Sequence, residues 1–221
     1  MAGPQLYPFV ATNVALFTLD GDSLRVLVGK RANEPQAGRW ALPGGALKPE
    51  LDDDLAASAR RVLREKVRFD PSLLEQVRAF SGRDRDPRGW SVATLFYALL
   101  PQDRIDAAAG NKTEAIDWVD AARPGRPLAF DHAQMLAEAV ARLRAKVEHD
   151  ALPLHLLPDR FTLTELQRAC EAITGEPLDK SAFRRRLKAR EGRDFVEAPG
   201  EFAQGAHRPA QYYKRSRGFR F

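Results

Sequence analysis

A ten-residue stretch, Asp150–Asp159 (DALPLHLLPD), divides this chain into two unlike parts. Its prolines, Pro153 and Pro158, stop a helix from running through it, because proline lacks a backbone N–H and clashes with the preceding turn. Net charge changes across the same region. From Lys180 to Phe221 there are 12 Lys and Arg against 4 Asp and Glu, whereas residues 1–179 hold 23 against 26. The formal net charge of +5 is therefore concentrated in the last fifth of the chain. A basic segment on a slightly acidic body points to a nucleic-acid contact or to a solvated basic tail. Residues 1–149 are read as one domain, 150–159 as a linker and 160–221 as a second domain, a division that a length of 221 residues accommodates.

Composition excludes several classes. With 44% hydrophobic and 29% charged residues the chain is globular rather than disordered. Its longest apolar run, Val92–Leu100 interrupted by Thr94, is far short of the ~20 residues of a membrane helix. The start, MAGPQLYPFV, lacks a basic segment followed by an apolar stretch, so no signal peptide is expected. A lone cysteine, Cys170, rules out an intramolecular disulfide and a Cys-rich zinc site, which fits a reducing cytoplasm.

In the first part, residues 7–29 read as two strands, with Phe9–Ala11 and Val14–Phe17 before a turn and Leu24–Val28 after it. Asp20-Gly21-Asp22 is a hairpin signal between them. Residues 30–45 form a loop that ends in Trp40-Ala41-Leu42-Pro43-Gly44-Gly45. Residues 52–68 switch to helical period, with Leu55, Ala59, Val62 or Leu63, and Val67 on one face. Asp52, Asp53 and Asp54 sit where a helix N-terminus favours negative charge. Val77–Phe80, Val92–Leu100 and Ile116–Val119 follow as strands. Phe130–Glu148 is a helix with Met135, Leu136, Ala139, Val140, Leu143 and Val147 on its apolar stripe.

The second part carries strong punctuation. Thr162-Leu163-Thr164-Glu165 is a capping-box pattern that opens a helix ending near Ile173, before Gly175 and Pro177. Asp179 suits the N-cap of a second helix, Lys180–Arg190. Phe195-Val196 and Tyr212-Tyr213 read as strands joined by a loop, Pro199–Pro209. Helix, turn, basic helix and a two-stranded wing is the winged form of helix-turn-helix. Phe183 and Leu187 would anchor the basic helix to Leu166, Ala169 and Ile173, which leaves its cations outward. A recognition helix reads bases near its N-terminus and phosphates elsewhere. Lys180, Ser181 and Arg184 are assigned to bases, and Arg185, Lys188, Arg208 and Lys214 to phosphates. Cys170 lies on the inner side of the first helix and reads as core.

The strand, Leu-Pro-Gly-Gly turn and acidic-started helix between Gly45 and Phe69 resemble the Nudix family. That family's pattern runs Gly, five residues, Glu, seven residues, then Arg-Glu, an aliphatic, any residue and Glu-Glu, closing with Gly and an aliphatic. Here Arg61 matches the Arg after two extra residues, Val62 replaces the next Glu, and Glu65 matches the first of the pair. Lys66 replaces the second Glu and Arg68 the Gly. The resemblance implies diphosphate cleavage with divalent cations held by those carboxylates, whose helical spacing clusters them on one face. With Arg61 and Glu65 the residual box, two readings stay open. Glu50, Asp52 or Asp53 and Glu114 stand in as metal ligands, or the pocket keeps ligand binding without chemistry. Mg²⁺ demands several oxygens in near-octahedral array, which favours the second reading. Arg61 and Glu65 can also simply pair across one turn.

Arg83-Asp84-Arg85-Asp86-Pro87-Arg88-Gly89 resembles a segment of Nudix proteins in the ADP-ribose group, and Phe130-Asp131-His132 one that opens the last helix in the regulator branch. Ligand contacts are therefore expected from Arg31, Arg39, Arg83, Arg85, Arg88 and His132, since a guanidinium fork suits a diphosphate. Trp40 either stacks on a base or packs in the core. Together with Leu163–Gln167, Pro177–Lys180 and His207–Ala210, the order of parts resembles the NrtR family of Nudix-related transcriptional regulators of NAD metabolism, over nearly the whole chain. The resemblance implies an α+β chain, a Nudix α/β/α sandwich followed by a winged helix-turn-helix. It also implies a cytoplasmic homodimeric repressor on a palindromic DNA operator, with ADP-ribose or a related NAD metabolite as effector and no required cofactor. The rival expectation is an ADP-ribose pyrophosphatase with a basic accessory domain.

Overall fold

The computed structural model describes residues 7–104, 113–147, 151–203 and 209–216. Two compact units divide them. One takes in 7–17, 25–99 and 113–142, and the other 18–24, 100–104, 143–147, 151–203 and 209–216.

The first unit is built on a mixed sheet. Strand β1 (Phe9–Asp20) lies at its centre, and Val14–Phe17 are wholly buried. It runs unbroken through Thr12 and Asn13, buried polar residues that find partners inside. β2 (Ser23–Arg31) returns beside it through the turn at Gly21, whose φ of 58° is the left-handed conformation that an Asp-Gly hairpin requires. β3 (Trp40–Ala41) pairs with β2, and β4 (Gly44–Ala46) pairs antiparallel with β1. β6 (Ser91–Leu99) runs parallel to β1 and carries β5 (Leu74–Gly82) on its other side. β7 (Thr113–Asp120) pairs with β2.

Two helices flank this sheet. Neighbouring strand residues point to opposite faces. Thr12 hydroxyl meets Ser58 of α1 (Leu55–Val67), while Asn13 amide meets His132 of α2 (His132–Val147). The helices therefore cover opposite faces, the expected sandwich. The whole apolar stripe of α2 is buried, from Met135 to Val147.

Asp54 caps α1 by accepting from Ala57 N–H at 2.6 Å. Arg68 ends the helix at φ 51°, ψ 34°. This left-handed conformation explains why the related motif carries Gly at this position, since an L side chain there crowds its own carbonyl. Arg68→Gly is accordingly expected to stabilise the protein by about 1 kcal/mol, read as an upward shift of the urea midpoint. An unchanged or lowered midpoint would show that the Arg68 side chain matters more than its backbone strain.

In the second unit, residues 152–155 form a 3₁₀ turn, and Leu152, Leu154, Leu156 and Leu157 are buried. The stretch read as a linker thus contributes core: its prolines stop helix, but its leucines still require burial. β8 (Arg160–Thr162), which the sequence reading does not contain, leads directly into α3 (Leu163–Thr174). Thr162 and Glu165 form the complete capping box. α4 (Lys180–Lys188) is capped by Asp179, and β9 (Phe195–Ala203) and β10 (Ala210–Arg215) follow. β9 extends well beyond Phe195-Val196, so part of the expected Pro199–Pro209 loop is strand. The three strands order β8–β10–β9. Phe161, Phe195 and Tyr213 pack as an aromatic cluster beneath them, with ring centroids 5.6–6.4 Å apart.

Candidate functional site

A cavity of about 290 Å³ opens in the first unit, between the ends of β1, β2, β4 and β6 and the start of α2. Its wall is markedly cationic. Among the described residues Lys30, Arg31, Lys66, Arg85 and Arg88 line it, against the single carboxylate of Asp86. Such a site calls for an anion.

Arg85 and Arg88 are preset. Arg85 forks onto Asp131 with two bonds of 2.9 Å and also donates to Ser91 at 3.1 Å. Arg88 forks onto Asp86 at 2.9 and 2.6 Å and lies over the Phe9 ring at 4.0 Å. A planar guanidinium held on one edge keeps other N–H groups for a ligand. Arg31 is held differently, by the carbonyls of Pro35 and Asn33 and by the Phe130 ring at 4.8 Å. Burial, then the nearby Arg88 charge, pulls the Arg31 pKa below its ordinary value. A diphosphate placed here would relieve that penalty.

His132 sits at the base of the cavity, fully enclosed. Leu42 N–H donates to its Nδ1 at 3.0 Å, so Nδ1 is an acceptor and a neutral ring carries its proton on Nε2. Nε2 faces the Asn13 amide at 3.3 Å, and its N–H is satisfied when the amide presents its oxygen. Burial pushes the His132 pKa down to about 4. His155, buried in the second unit, is likewise pushed down to about 4 by burial. Both lie below the ordinary value of 6.5, so the unfolded chain binds more protons between those limits. Stability is therefore expected to be full above pH 6.5 and to decline as pH falls towards 4. His132→Gln should shallow the acid limb, and an identical limb in that variant would refute the assignment.

Asn13 explains the glycine turn. A Cβ on Gly44 would lie 2.2 Å from Asn13 Nδ2 and 3.1 Å from the Thr12 carbonyl, so only glycine lets β4 close against β1 here.

The residual box residues lie elsewhere. Arg61 is buried and does not line the cavity. Its Nε and Nη2 bond the two oxygens of Asp52 at 2.7 Å each, Nη2 also reaches the Ala46 carbonyl at 2.9 Å, and Nη1 reaches Glu65 at 3.3 Å. The hydrogen-bonded guanidinium holds the Asp52 carboxyl well below the usual carboxylate range. Glu65 is exposed and shared between Arg61 and Lys48, 3.6 Å away. Glu50 and Asp53 are exposed, while the Glu114 side chain lies outside the described residues. Among the described residues no three His, Cys, Asp or Glu side chains are placed to hold a metal ion. A divalent cation does not fit what is present: Asp52 is engaged by Arg61, and Lys66 stands on the cavity wall.

The cavity gathers Arg31, Arg85, Arg88 and His132, but not Arg39 and Arg83, which are exposed and outside its lining. Those two were grouped with it through loop membership, which does not fix direction. Trp40 also lies off the cavity, beneath the Arg126 guanidinium at 4.6 Å. The sequence reading missed Asn13, Lys30 and Asp86 as lining residues. Asp86 lies two residues before Arg88, whose counter-ion it is, and could have been inferred from that spacing, whereas Asn13 gives no local signal inside an apolar strand.

In the second unit, Phe183 and Leu187 are buried and Lys180, Ser181, Arg184, Arg185, Arg186 and Lys188 are exposed. Among the described residues none of these α4 cations is paired with a carboxylate. Lys214, by contrast, bonds Glu201 at 2.7 Å, and Arg160 meets the same carboxylate at 2.9 Å. Arg208 lies outside the described residues. The Cys170 thiol is buried and pushed up to about 12, in keeping with a core position.

Two family models match. The NrtR DNA-binding winged helix domain covers residues 153–215 and the NUDIX domain residues 9–142. The chain is 41% identical over 208 residues to the ADPR responsive transcriptional repressor NtrR of Acinetobacter baylyi, covering 94% of this chain and 82% of that protein. The crystal structure of Shewanella oneidensis NrtR complexed with a 27mer DNA superposes with a TM-score of 0.83 at 32% identity, covering 94% of this chain and 93% of that one. The NUDIX domain of the same protein, complexed with ADP ribose, gives a TM-score of 0.56 at 33% identity, over 64% of this chain and 94% of that one. Matched along both of its parts, the chain belongs to the NrtR family, as a Nudix domain joined to an NrtR-type winged helix.

Proposed function

We propose that this chain is a transcriptional repressor. It binds double-stranded DNA through α4 and the β9–β10 wing, and ADP-ribose or a related NAD metabolite in the cationic cavity releases it. One observation carries the reading: the cavity of the Nudix unit is lined by Arg31, Arg85 and Arg88, while α4 presents outward cations that, among the described residues, no carboxylate pairs. Relatives named for an ADPR response, and solved with DNA and with ADP ribose, support it. Recognition then follows familiar physics. Cations on one helix face neutralise phosphates, and groups at its N-terminus reach base edges.

A homodimer on a two-fold operator in the cytoplasm completes the proposal, since a single short recognition helix covers only a half-site. No helix among the described residues is long and apolar enough to cross a membrane. Ligand lowers DNA affinity if it binds better to a dimer geometry that cannot span both half-sites.

The test is binding of the purified protein to the DNA upstream of its own gene, with and without ADP-ribose, in buffer containing Mg²⁺ and assayed for AMP. Loss of the DNA complex on adding ADP-ribose, without AMP, is the expected result. Rapid AMP release without a specific DNA complex would make this chain a pyrophosphatase with a basic accessory domain.

A further inference from the structure

We propose that Gln36 is a positioning residue for the effector: its side chain ties loop 32–38 to Phe130, so that the Arg31 guanidinium and the Phe130 ring are held together on the cavity wall. This inference rests on the effector reading above and names a residue outside the cavity lining that sets its affinity.

The backbone points to it. Among the described residues three non-glycine residues have a left-handed backbone: Gln36 at φ 65°, Arg68 at 51° and Phe130 at 53°. Arg68 ends α1. The other two are bonded to each other across ninety-four positions of chain, Phe130 N–H donating to Gln36 Oε1 at 3.1 Å. An L side chain in this conformation crowds its own backbone. Such strain gathers at ligand-holding sites, where the surrounding structure enforces it.

What the strain holds is a connected set of contacts. The loop is closed at its base: Arg31 N–H donates to the Arg39 carbonyl at 2.9 Å, and Gly38 N–H donates to the Arg31 carbonyl at 2.8 Å. The Arg31 guanidinium donates back into the loop, to the Pro35 and Asn33 carbonyls at 2.9 and 3.3 Å, and lies over the Phe130 ring at 4.8 Å. That ring in turn meets His132, with centroids 5.6 Å apart. Arg31, Phe130 and His132 all line the cavity, and Gln36 does not. The Arg31 charge acts on His132, and the Arg88 charge on Arg31, so this guanidinium stands among the cavity groups. Without the Gln36 acceptor the loop keeps its hold on Arg31 but loses its bond to the Phe130 backbone. A diphosphate would then have to order the loop as it binds, which weakens it.

Calorimetric titration of the full-length protein with ADP-ribose, set beside urea unfolding of the same preparations, separates positioning from folding. Gln36→Gly relaxes the backbone and removes the acceptor. Affinity should fall about tenfold, while the urea midpoint stays level or rises. Gln36→Ala removes the same acceptor and keeps the left-handed strain, so it should lose as much affinity with a lower midpoint. An affinity equal to wild type in either variant would overturn the proposal. So would a Gln36→Gly midpoint that falls along with affinity, since the contact would then be a tie of the fold itself. Those results leave the effector reading intact, because wild-type binding is measured alongside. No binding of ADP-ribose by the wild type would instead overturn the effector reading, and this inference with it.

Discussion

Arg61→Ala should cost about 3–5 kcal/mol of folding stability, the largest effect expected from a single substitution in this chain. The Asp52 side chain is completely buried and Arg61 nearly so, and the fork between them uses both carboxylate oxygens at 2.7 Å. Removing the guanidinium strands a buried charge. It also frees the Ala46 carbonyl and the Glu65 contact, so three segments lose a common tie: the β4 turn, the 48–52 loop and α1. Arg61→Lys should recover only part of this, because an ammonium cannot reproduce a bidentate fork.

The pH dependence gives an independent readout. Asp52 has a folded pKa depressed below its unfolded value, so its contribution is present above the unfolded carboxylate range and is lost as pH falls beneath it. In Arg61→Ala the same carboxyl stays buried with the Lys48 N–H but without its counter-charge, which favours its neutral form, so the variant's stability deficit should shrink in acid. Chemical denaturation across pH checks both statements. A deficit under 1 kcal/mol at neutral pH would mean that the fork is not structural. Cavity binding should weaken in this variant as well, because Gly44–Ala46 form part of the wall. Arg61 would act there by positioning, without touching ligand.

The second large effect belongs to α4. Replacing Lys180, Arg184, Arg185 and Lys188 together by alanine should abolish detectable operator binding at physiological salt. If all four touch phosphates, the log–log salt slope drops by about 3.6 per subunit, at ~0.9 per contact. Any of them that reads a base contributes ~1–3 kcal/mol of sequence discrimination instead, which single variants would separate. All four side chains are exposed, so thermal stability should stay within about 0.5 kcal/mol of wild type. Lys214→Ala should behave otherwise. Its ammonium is bound to Glu201, so it should loosen the wing and reduce the salt slope less. A quadruple variant with undiminished DNA affinity would move the interface off α4.

Local signals in this chain were legible where a few residues decide the conformation. The Thr162–Glu165 box, the Asp179 cap and the Asp-Gly hairpin at residue 21 all depend on neighbours within three positions, and each appears as read. The buried stripe of α2 and the Phe183–Leu187 anchor follow from helical period. What the sequence could not disclose joins distant residues. Arg61 and Asp52 are nine apart, Arg85 and Asp131 forty-six, and Asn13 and His132 one hundred and nineteen. The pairing of Arg61 with Glu65 across one turn was legible as an alternative to a remnant catalytic box, but its buried fork onto Asp52 was not. Arg39 and Arg83 belong to the expected loops yet are exposed and outside the lining of the cavity, because chain proximity does not fix side-chain direction. Asp150–Asp159 shows that helix breakers mark where a helix ends without marking where a core ends.

Coupling between the cavity and α4 is the central claim, and linkage makes it measurable from either side. The decisive measurement is ADP-ribose affinity of the free protein against that of the protein saturated with operator DNA. The two should differ, DNA weakening ADP-ribose by the same factor as ADP-ribose weakens DNA, on the order of 5–150-fold for a coupling of ~1–3 kcal/mol. Equal ADP-ribose affinity in the presence and absence of DNA would contradict the account, leaving two binding sites on one chain with no regulatory connection between them.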